Sequence, residues 1–280
     1  MAYVKIVTDS LADIPLALAQ ELEITQVPCV VRFGDQEFRD RIDLSPSEFY
    51  RRLVTSPTLP TTSQPPVGVF EETFRKIAGT TDQILSIHVI GNLSGTLNAA
   101  RLGAQNVTNA RIECMDSQQV SMGLGWLVIL AARSAKAGHT LQEIKALVED
   151  AMPRVHIIAM LDTLEYAQRG GRLGKGKALI GTLLHVKPLL SAVRGEILPV
   201  ENVRTQKRAL ERLVEIVLGS GPIQELSVIH ADAPELARKL QQMLAFTFPK
   251  DQIVMSETGP VLGTHTGPGA VGIAWVAGKY

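Results

Sequence analysis

Short apolar runs alternate with longer amphipathic stretches over the first 150 residues. The short runs predict β-strands at 3–7, 27–33, 83–89 and 111–115, with 37–40 pairing back on the second strand as a hairpin. The longer stretches predict helices at 15–22, 46–54, 67–78, 97–105, 120–137 and 141–152. Strands that alternate with helices favour an α/β domain with a largely parallel sheet.

The pattern changes after Pro153. Strands are predicted at 156–160, 186–193, 197–202, 226–230, 253–257 and 270–277, and helices at 163–169, 178–184, 205–218 and 234–245. Residues 263–269 are glycine-rich and predict a loop. We therefore expect two α/β domains, 1–153 with a largely parallel sheet and 154–280 with a mixed sheet.

A hydroxyl-rich segment, Pro60-Thr61-Thr62-Ser63-Gln64-Pro65-Pro66, lies between two predicted helices. Proline fixes its own backbone angle and favours extended geometry in the preceding residue, so the segment predicts a stiff, extended loop. Three adjacent hydroxyls suit an anion or a carboxyl group held out of bulk water. A polar surface turn is the alternative interpretation.

Similar small-residue loops recur along the chain, at 8–10, 94–96 and 116–117. Each follows a predicted strand or precedes a helix, and ligands of open α/β sheets bind beyond the carboxyl ends of the strands. We expect these loops and 61–64 to converge on one rim. Ser94-Gly95-Thr96 predicts a helix N-cap, which is also an anion-binding position.

Two further segments carry basic groups. Residues 170–177, Gly-Gly-Arg-Leu-Gly-Lys-Gly-Lys, do not fit the phosphate-binding loop of nucleotide enzymes, and they predict either a flexible surface loop or a site role for Arg172. His265 lies in the glycine-rich loop, where its imidazole can reach a ligand. The other five histidines, including His88 and His230, are interpreted as ordinary core or surface residues. No histidine or cysteine spacing indicates a metal site.

Composition narrows the function classes. Lys plus Arg equals Asp plus Glu, 28 each, so the basic excess of nucleic-acid-binding proteins is missing. Aromatic residues make up only 5%, which predicts an aliphatic wall for any cavity. Two cysteines are too few for a disulfide framework, the N-terminus does not fit a signal peptide, and the longest apolar run, about 123–132, is too short to span a bilayer. We expect a soluble cytoplasmic protein with no transmembrane segment.

Taken together, these segments resemble the DegV family of bacterial fatty-acid-binding proteins. The resemblance runs in order over nearly the whole chain. It rests on Thr8-Asp9-Ser10, Asp13-Ile14-Pro15, Pro60-Thr61-Thr62-Ser63-Gln64-Pro65, Ser94-Gly95-Thr96, Asn98-Ala99-Ala100, Asp116-Ser117, Gly170-Gly171-Arg172-Leu173, Arg204-Thr205 and His265-Thr266-Gly267-Pro268-Gly269.

The resemblance implies a non-catalytic carrier that holds one long-chain fatty acid and needs no other cofactor or metal. It implies a ligand at the junction of the two domains, with its acyl chain buried in the N-terminal domain and a C-terminal domain that covers the head group. Thr61, Thr62 and Ser94 would bind the carboxyl group, with Arg172 and His265 close to it or to a phosphate formed on it. It also implies a separate fatty acid kinase as partner, which makes an acyl phosphate for phospholipid synthesis.

Two other functions stay open from sequence. One is a regulatory role in which the chain senses lipid, and sequence does not separate this role from the carrier role. Alternatively, the chain is a self-sufficient phosphotransferase or hydrolase that uses Ser94 or His265. Against this, Gly91-Asn92-Leu93-Ser94-Gly95 places its serine one position too late for a nucleophile elbow.

Overall fold

The computed structural model describes residues 3–173 and 186–279. The helix predicted at 178–184 and the lysines of the 170–177 segment lie outside the described residues. The strands are β1 (Lys5–Asp9), β2 (Thr25–Val27), β3 (Val30–Phe33), β4 (Gln36–Arg39), β5 (Thr61–Ser63), β6 (Gln83–His88), β7 (Arg111–Asp116), β8 (Val155–Met160), β9 (Lys187–Val193), β10 (Glu196–Val203), β11 (Ile223–His230), β12 (Ile253–Glu257) and β13 (Val271–Ala277). The helices are α1 (Leu16–Glu21), α2 (Pro46–Thr55), α3 (Val67–Ala78), α4 (Thr96–Gln105), α5 (Met122–Lys136), α6 (Leu141–Ala151), α7 (Glu165–Arg169), α8 (Gln206–Leu218), α9 (Pro234–Leu244) and α10 (Pro260–Thr266).

The first half of the chain builds a parallel sheet of four strands in the order β2-β1-β6-β7. Parallel strands need covering on both faces, and β1 and β6 are accordingly buried along most of their length. On one face, Phe70 and Phe74 of α3 and Ala100 of α4 pack against Val7 and Ile84 of the sheet. The predicted α/β class and parallel sheet are confirmed.

A small antiparallel sheet, ordered β4-β3-β5, contains the hydroxyl-rich segment. The loop predicted for this segment is wrong in its centre, because Thr61–Ser63 forms a strand that pairs with β3. The flanking prolines impose the extended backbone that a short strand needs, and threonine is favoured in strands. The β3–β4 hairpin confirms the predicted pairing of 37–40.

The second half builds a six-stranded sheet in the order β10-β9-β8-β13-β11-β12. Only the β11–β12 pair is parallel within this sheet, so the predicted mixed sheet is confirmed. Helices α8 and α9 cover one face through Leu210, Leu213 and Leu240, which are buried in a cluster with Val228 and Ile273.

Helix α5 lies between the two large sheets and is buried along nearly its whole length. The indole nitrogen of Trp126 donates to Ser227 Oγ at 3.1 Å and to the Ala274 carbonyl at 3.2 Å, both in the second sheet. One hydrophobic cluster contains Ile87 of the parallel sheet, Trp126 and Ala274. The two halves therefore share a continuous core, and the predicted division at residue 153 stays a prediction.

The loop predicted at 263–269 is wrong over its first part, because α10 continues through Thr266. Pro260 occupies the first turn, where its missing N–H costs nothing. Gly267 ends the helix with φ +69°, and its N–H donates to the Gly263 carbonyl at 2.9 Å. His265 therefore sits on the last turn of a helix, which orients its ring more tightly than a loop would.

Candidate functional site

A cavity opens between the parallel sheet and the six-stranded sheet, with walls from both halves of the chain. Most of its wall is aliphatic, as the composition predicted. Buried examples are Leu11, Val89, Ile90, Leu161, Leu190 and Ile229.

Polar side chains form a separate group at the mouth of this cavity, which we call the polar patch: Thr62, Gln64, Ser94, Arg172 and His265. Gln64 and Arg172 are exposed, whereas Thr62, Ser94 and His265 are half-buried. The cavity is therefore reachable from solvent beside the polar patch, and its buried wall is mainly aliphatic, with Ser121 and Thr258 as buried polar exceptions. Such a site fits a long apolar molecule with one polar end.

The best-defined contact of the polar patch joins the two halves of the chain. Thr62 Oγ1, on β5, lies 3.0 Å from His265 Nε2, on α10. The other ring nitrogen, Nδ1, is buried without a hydrogen-bond partner. The imidazole consequently faces the hydroxyl strand through Nε2 alone.

Burial lowers the pKa of His265 to about 4, and the positive charge of Arg172 acts in the same direction. The imidazole is therefore neutral at pH 7. The positive charge of the polar patch is carried by Arg172.

Arg172 follows α7 and reaches across to the first half of the chain. Its Nη1 donates to the Gly170 carbonyl at 2.8 Å, and its Nε lies 3.4 Å from the Leu93 carbonyl. Of the two interpretations of the 170–177 segment, the observed position places Arg172 at the cavity mouth.

Ser94 lies on the loop that precedes α4. Its Oγ is 2.8 Å from Thr96 Oγ1 and accepts a bond from the Thr96 N–H at 3.3 Å. The helix N-cap lies within the predicted segment, at Gly95, which supplies no capping side chain. The Ser94 hydroxyl is engaged locally and still lines the cavity.

Two of the four predicted loops reach the cavity, 61–64 and 94–96. Thr61 itself is exposed and does not line the cavity. The other two loops do not line the cavity and make hydrogen bonds to neighbouring segments instead. Ser10 Oγ donates to Asp40 Oδ2 at 2.8 Å, and Asp116 accepts from the Gly91 N–H at 3.2 Å. The expected convergence of all four loops is therefore wrong for 8–10 and 116–117.

Several cavity residues escaped the sequence interpretation, Ser191 and Thr258 among them. Cys29 and Ser121 line the cavity, and so does His230, which was assigned to ordinary core or surface. Burial raises the pKa of the Cys29 thiol well above its usual range, so the thiolate nucleophile is disfavoured. His230 could have been recognised from its position at the carboxyl end of a strand.

A buried serine, histidine and aspartate align inside the parallel sheet. Ser86 Oγ lies 2.7 Å from His88 Nε2, and His88 Nδ1 lies 2.9 Å from Asp9 Oδ2. All three side chains are fully buried, and none lines the cavity. This alignment satisfies polar groups in the core and offers no nucleophile to a substrate.

The described residues contain no group of three or more His, Cys, Asp or Glu side chains placed to hold a metal ion. Over the same residues, no helix combines the length and the apolar character needed to cross a membrane. Both cysteines are free.

Comparison with known proteins gives a consistent family assignment. The family model described as "Uncharacterised protein, DegV family" matches residues 3–278. Protein DegV of Bacillus subtilis is 35% identical over 277 residues, which cover 97% of this chain and 98% of that protein.

Two solved structures resemble the whole chain. The crystal structure of DegV from Bacillus subtilis, described as a fatty acid binding protein, has a TM-score of 0.91 and 33% identity and covers 99% of this chain and 100% of that one. A DegV family protein from Thermus thermophilus, described for its fatty acid binding, has a TM-score of 0.92 and 30% identity over the same shares of the two chains.

Proposed function

This chain belongs to the DegV family, and we propose that it binds one long-chain fatty acid with the carboxyl group at the polar patch. The observation that carries the proposal is the cavity itself, which is polar at an open mouth and mainly aliphatic inside. Relatives from Bacillus subtilis and Thermus thermophilus with the same fold are described as fatty acid binding, which supports it.

Burial of the acyl chain supplies the driving force. An acyl chain of about 16 carbons gains roughly 12 kcal/mol when buried, at about 0.8 kcal/mol for each methylene. Association and ordering cost a large share of this gain. The sequence resemblance implies that the acyl chain is buried in the N-terminal domain. Because the cavity wall comes from both halves, we propose that the acyl chain contacts both.

The carboxyl group needs partners, because a carboxylate buried without them costs several kcal/mol. We propose that Thr62 and Ser94 donate hydroxyl hydrogen bonds to it, that His265 acts through Nε2, and that Arg172 supplies the positive charge. Thr61, also predicted as a carboxyl ligand, lies outside the cavity wall, and we propose no direct contact for it.

We propose further that the chain is a cytoplasmic carrier that presents the bound carboxyl group to a separate fatty acid kinase, which feeds phospholipid synthesis. The exposed mouth supports presentation, since Arg172 and Gln64 are open to a partner. A lipid-sensing role uses the same binding site as the carrier role. The two roles differ in the partner that the protein binds. A self-sufficient hydrolase is less well supported, because the aligned Ser86, His88 and Asp9 do not reach the cavity.

Mass spectrometry of the purified protein tests the binding proposal. Lipid extracted from protein purified from a bacterial host should contain long-chain fatty acid at close to one per chain. Delipidated protein should take up added oleate to the same ratio. Protein without acid that also fails to take up oleate would contradict the proposal.

Assay with ATP tests the carrier role separately. When this protein is incubated with ATP and fatty acid and no second protein, no acyl phosphate should form. Acyl phosphate should form once a bacterial fatty acid kinase is added. Turnover by the chain alone would favour the enzyme hypothesis.

A further inference from the structure

Gly170 lies at the end of α7, where its Cα faces the buried edge of the His265 ring. A Cβ placed on Gly170 would lie 2.9 Å from His265 Cε1 and closer still to Nδ1. Real Cβ atoms do not approach other heavy atoms so closely, so any side chain at residue 170 requires the imidazole to move. Nδ1 is the ring nitrogen that is buried without a hydrogen-bond partner.

Backbone conformation does not explain a glycine at this position. Gly170 has φ −73° and ψ −8°, which every L-residue adopts readily. Two other glycines end helices in the same conformation: Gly79 with φ −73° and ψ −12°, and Gly219 with φ −77° and ψ −6°.

The three positions differ in what a side chain would contact. At Gly79 and Gly219 a Cβ would meet only carbonyl oxygens of its own helix, at 3.3 Å from Lys76 O and 3.2 Å from Glu215 O. Gly170 has the corresponding contact, 3.1 Å from Tyr166 O, and the His265 ring in addition. The histidine is therefore the distinguishing feature of residue 170.

Gly170 also contacts the second basic group of the polar patch. Its carbonyl accepts the 2.8 Å bond from Arg172 Nη1. Gly170 therefore limits the position of the His265 ring at its Cα and accepts a hydrogen bond from the Arg172 guanidinium at its carbonyl oxygen.

We propose that Gly170 is a positioning residue for His265, whose missing side chain leaves the space that the imidazole occupies when Nε2 reaches Thr62. The inference rests on the proposed function for its consequence, which is correct placement of a head-group ligand. The steric relation between Gly170 and His265 stands independently of what the cavity binds.

The test compares Gly170→Ala with Gly219→Ala, a control that adds the same methyl group at a helix end of the same conformation. The first readout is the imidazole NMR signal of His265, assigned by its loss in His265→Ala. The signal should shift in Gly170→Ala and stay in place in Gly219→Ala. An unchanged His265 signal in Gly170→Ala would overturn the proposal.

The second readout is oleate affinity in a double-mutant cycle. Loss of one hydrogen bond, worth about 1 kcal/mol, corresponds to about a fivefold weaker affinity for Gly170→Ala. In a His265→Ala background, the same substitution should change affinity by less than about twofold, because the ring it displaces is absent. Equal losses in both backgrounds would assign Gly170 a role unrelated to His265 and overturn the proposal.

The melting temperature shows whether Gly170→Ala weakens oleate binding only because it destabilises the folded protein. If Gly170→Ala lowers it, adding His265→Ala should restore most of the loss, and failure to do so would count against the proposal. If wild-type protein binds no oleate, the proposed function fails, while the NMR and melting comparisons still decide whether Gly170 positions His265.

Discussion

At the scale of single residues, the site depends on a buried carboxylate, Asp13, that does not itself line the cavity. Asp13 Oδ1 accepts bonds from Arg41 at 2.8 Å and from the Gly259 N–H at 3.0 Å, while Oδ2 accepts from Ser121 Oγ at 2.6 Å. Gly259 is the residue just before α10. A carboxylate from the first half therefore anchors the start of the helix that carries His265.

Residue-level contacts of this kind were the least predictable part of the site. The residue types at the cavity mouth, hydroxyls with one arginine and one histidine, were predicted from the sequence. The Thr62–His265 pair spans 203 positions, and no local pattern reports it. Nor does the sequence say which of two adjacent threonines reaches the cavity, because neighbours along a strand point to opposite faces.

Thr62 lines the cavity and the adjacent Thr61 does not, and the prediction for carboxyl binding depends on this difference. Thr62→Ala and Ser94→Ala should each weaken oleate binding by about five- to a hundred-fold, since each leaves a shielded carboxyl oxygen without a partner at about 1–3 kcal/mol. The double variant should lose less than the sum, because both hydroxyls act on one group. Titration of delipidated protein measures these changes.

Thr61→Ala is the matched control, because it removes the neighbouring hydroxyl outside the cavity wall and should change affinity by less than about twofold. Wild-type affinity in the Thr62/Ser94 double variant would move the carboxyl group elsewhere.

Asp40 makes a second residue-scale prediction, on pH. Burial raises the pKa of Asp40 to about 7, although the Arg41 charge and the Ser10 hydrogen bond oppose the shift. The folded state therefore holds a proton that the unfolded state has released above pH 3.8, so the free energy of unfolding falls as pH rises from about 4 to about 7. Between pH 5 and pH 8 Asp40 should contribute a decrease of about 2–3 kcal/mol.

Urea unfolding of wild type and Asp40→Asn at pH 5 and pH 8 measures this contribution. The asparagine variant should show a smaller decrease, and groups that do not interact with Asp40, such as His265, cancel in the comparison. Asp43→Asn is the control: its partner Arg39 lowers the pKa of Asp43 to about 2, so its charge does not change between these pH values. Equal pH dependence in Asp40→Asn and wild type would refute the assignment.

At the scale of secondary structure, periodicity located most helices and strands within a few residues. The predicted strand 27–33 is wrong as one element, because its residues belong to β2 of the parallel sheet and β3 of the small antiparallel sheet. Two further differences, β5 and α10, both lie in segments rich in glycine, proline and hydroxyl residues. Glycine and proline have low intrinsic preference for regular structure, although threonine favours strands. Tertiary contacts decide the conformation of these segments: β5 pairs with β3, and α10 packs against α2 and α7.

The two tryptophans make a prediction about α5. Trp126 donates two hydrogen bonds into the second sheet, whereas the buried indole N–H of Trp275 has no partner. Both Trp→Phe substitutions remove similar apolar volume, but only Trp126→Phe also removes satisfied hydrogen bonds. Trp126→Phe should therefore cost about 1 kcal/mol more stability than Trp275→Phe. Urea unfolding at one pH measures the difference, and a larger loss in Trp275→Phe would contradict this account of how α5 is held.

At the scale of the whole molecule, the six-stranded sheet uses only residues after 153, and the other two sheets use only residues before it. The hydrophobic core extends across this division, because α5 contacts strands of both large sheets. Sequence patterns report the period of each element and carry no information on which faces meet. The continuity of the core was consequently outside what the sequence could predict.

A continuous core predicts that the two halves unfold together. In Trp275→Phe, the remaining one of the two tryptophans, Trp126, reports on the packing of α5 against the six-stranded sheet, while far-UV circular dichroism reports on all helices and strands. Urea curves from the two probes should coincide. Oleate at about 100 times its Kd should shift both by the same amount, about 2.7 kcal/mol, because the cavity wall includes both halves. A fluorescence transition that separates from the dichroism transition, or a ligand shift confined to one probe, would instead divide the chain into independent folding units.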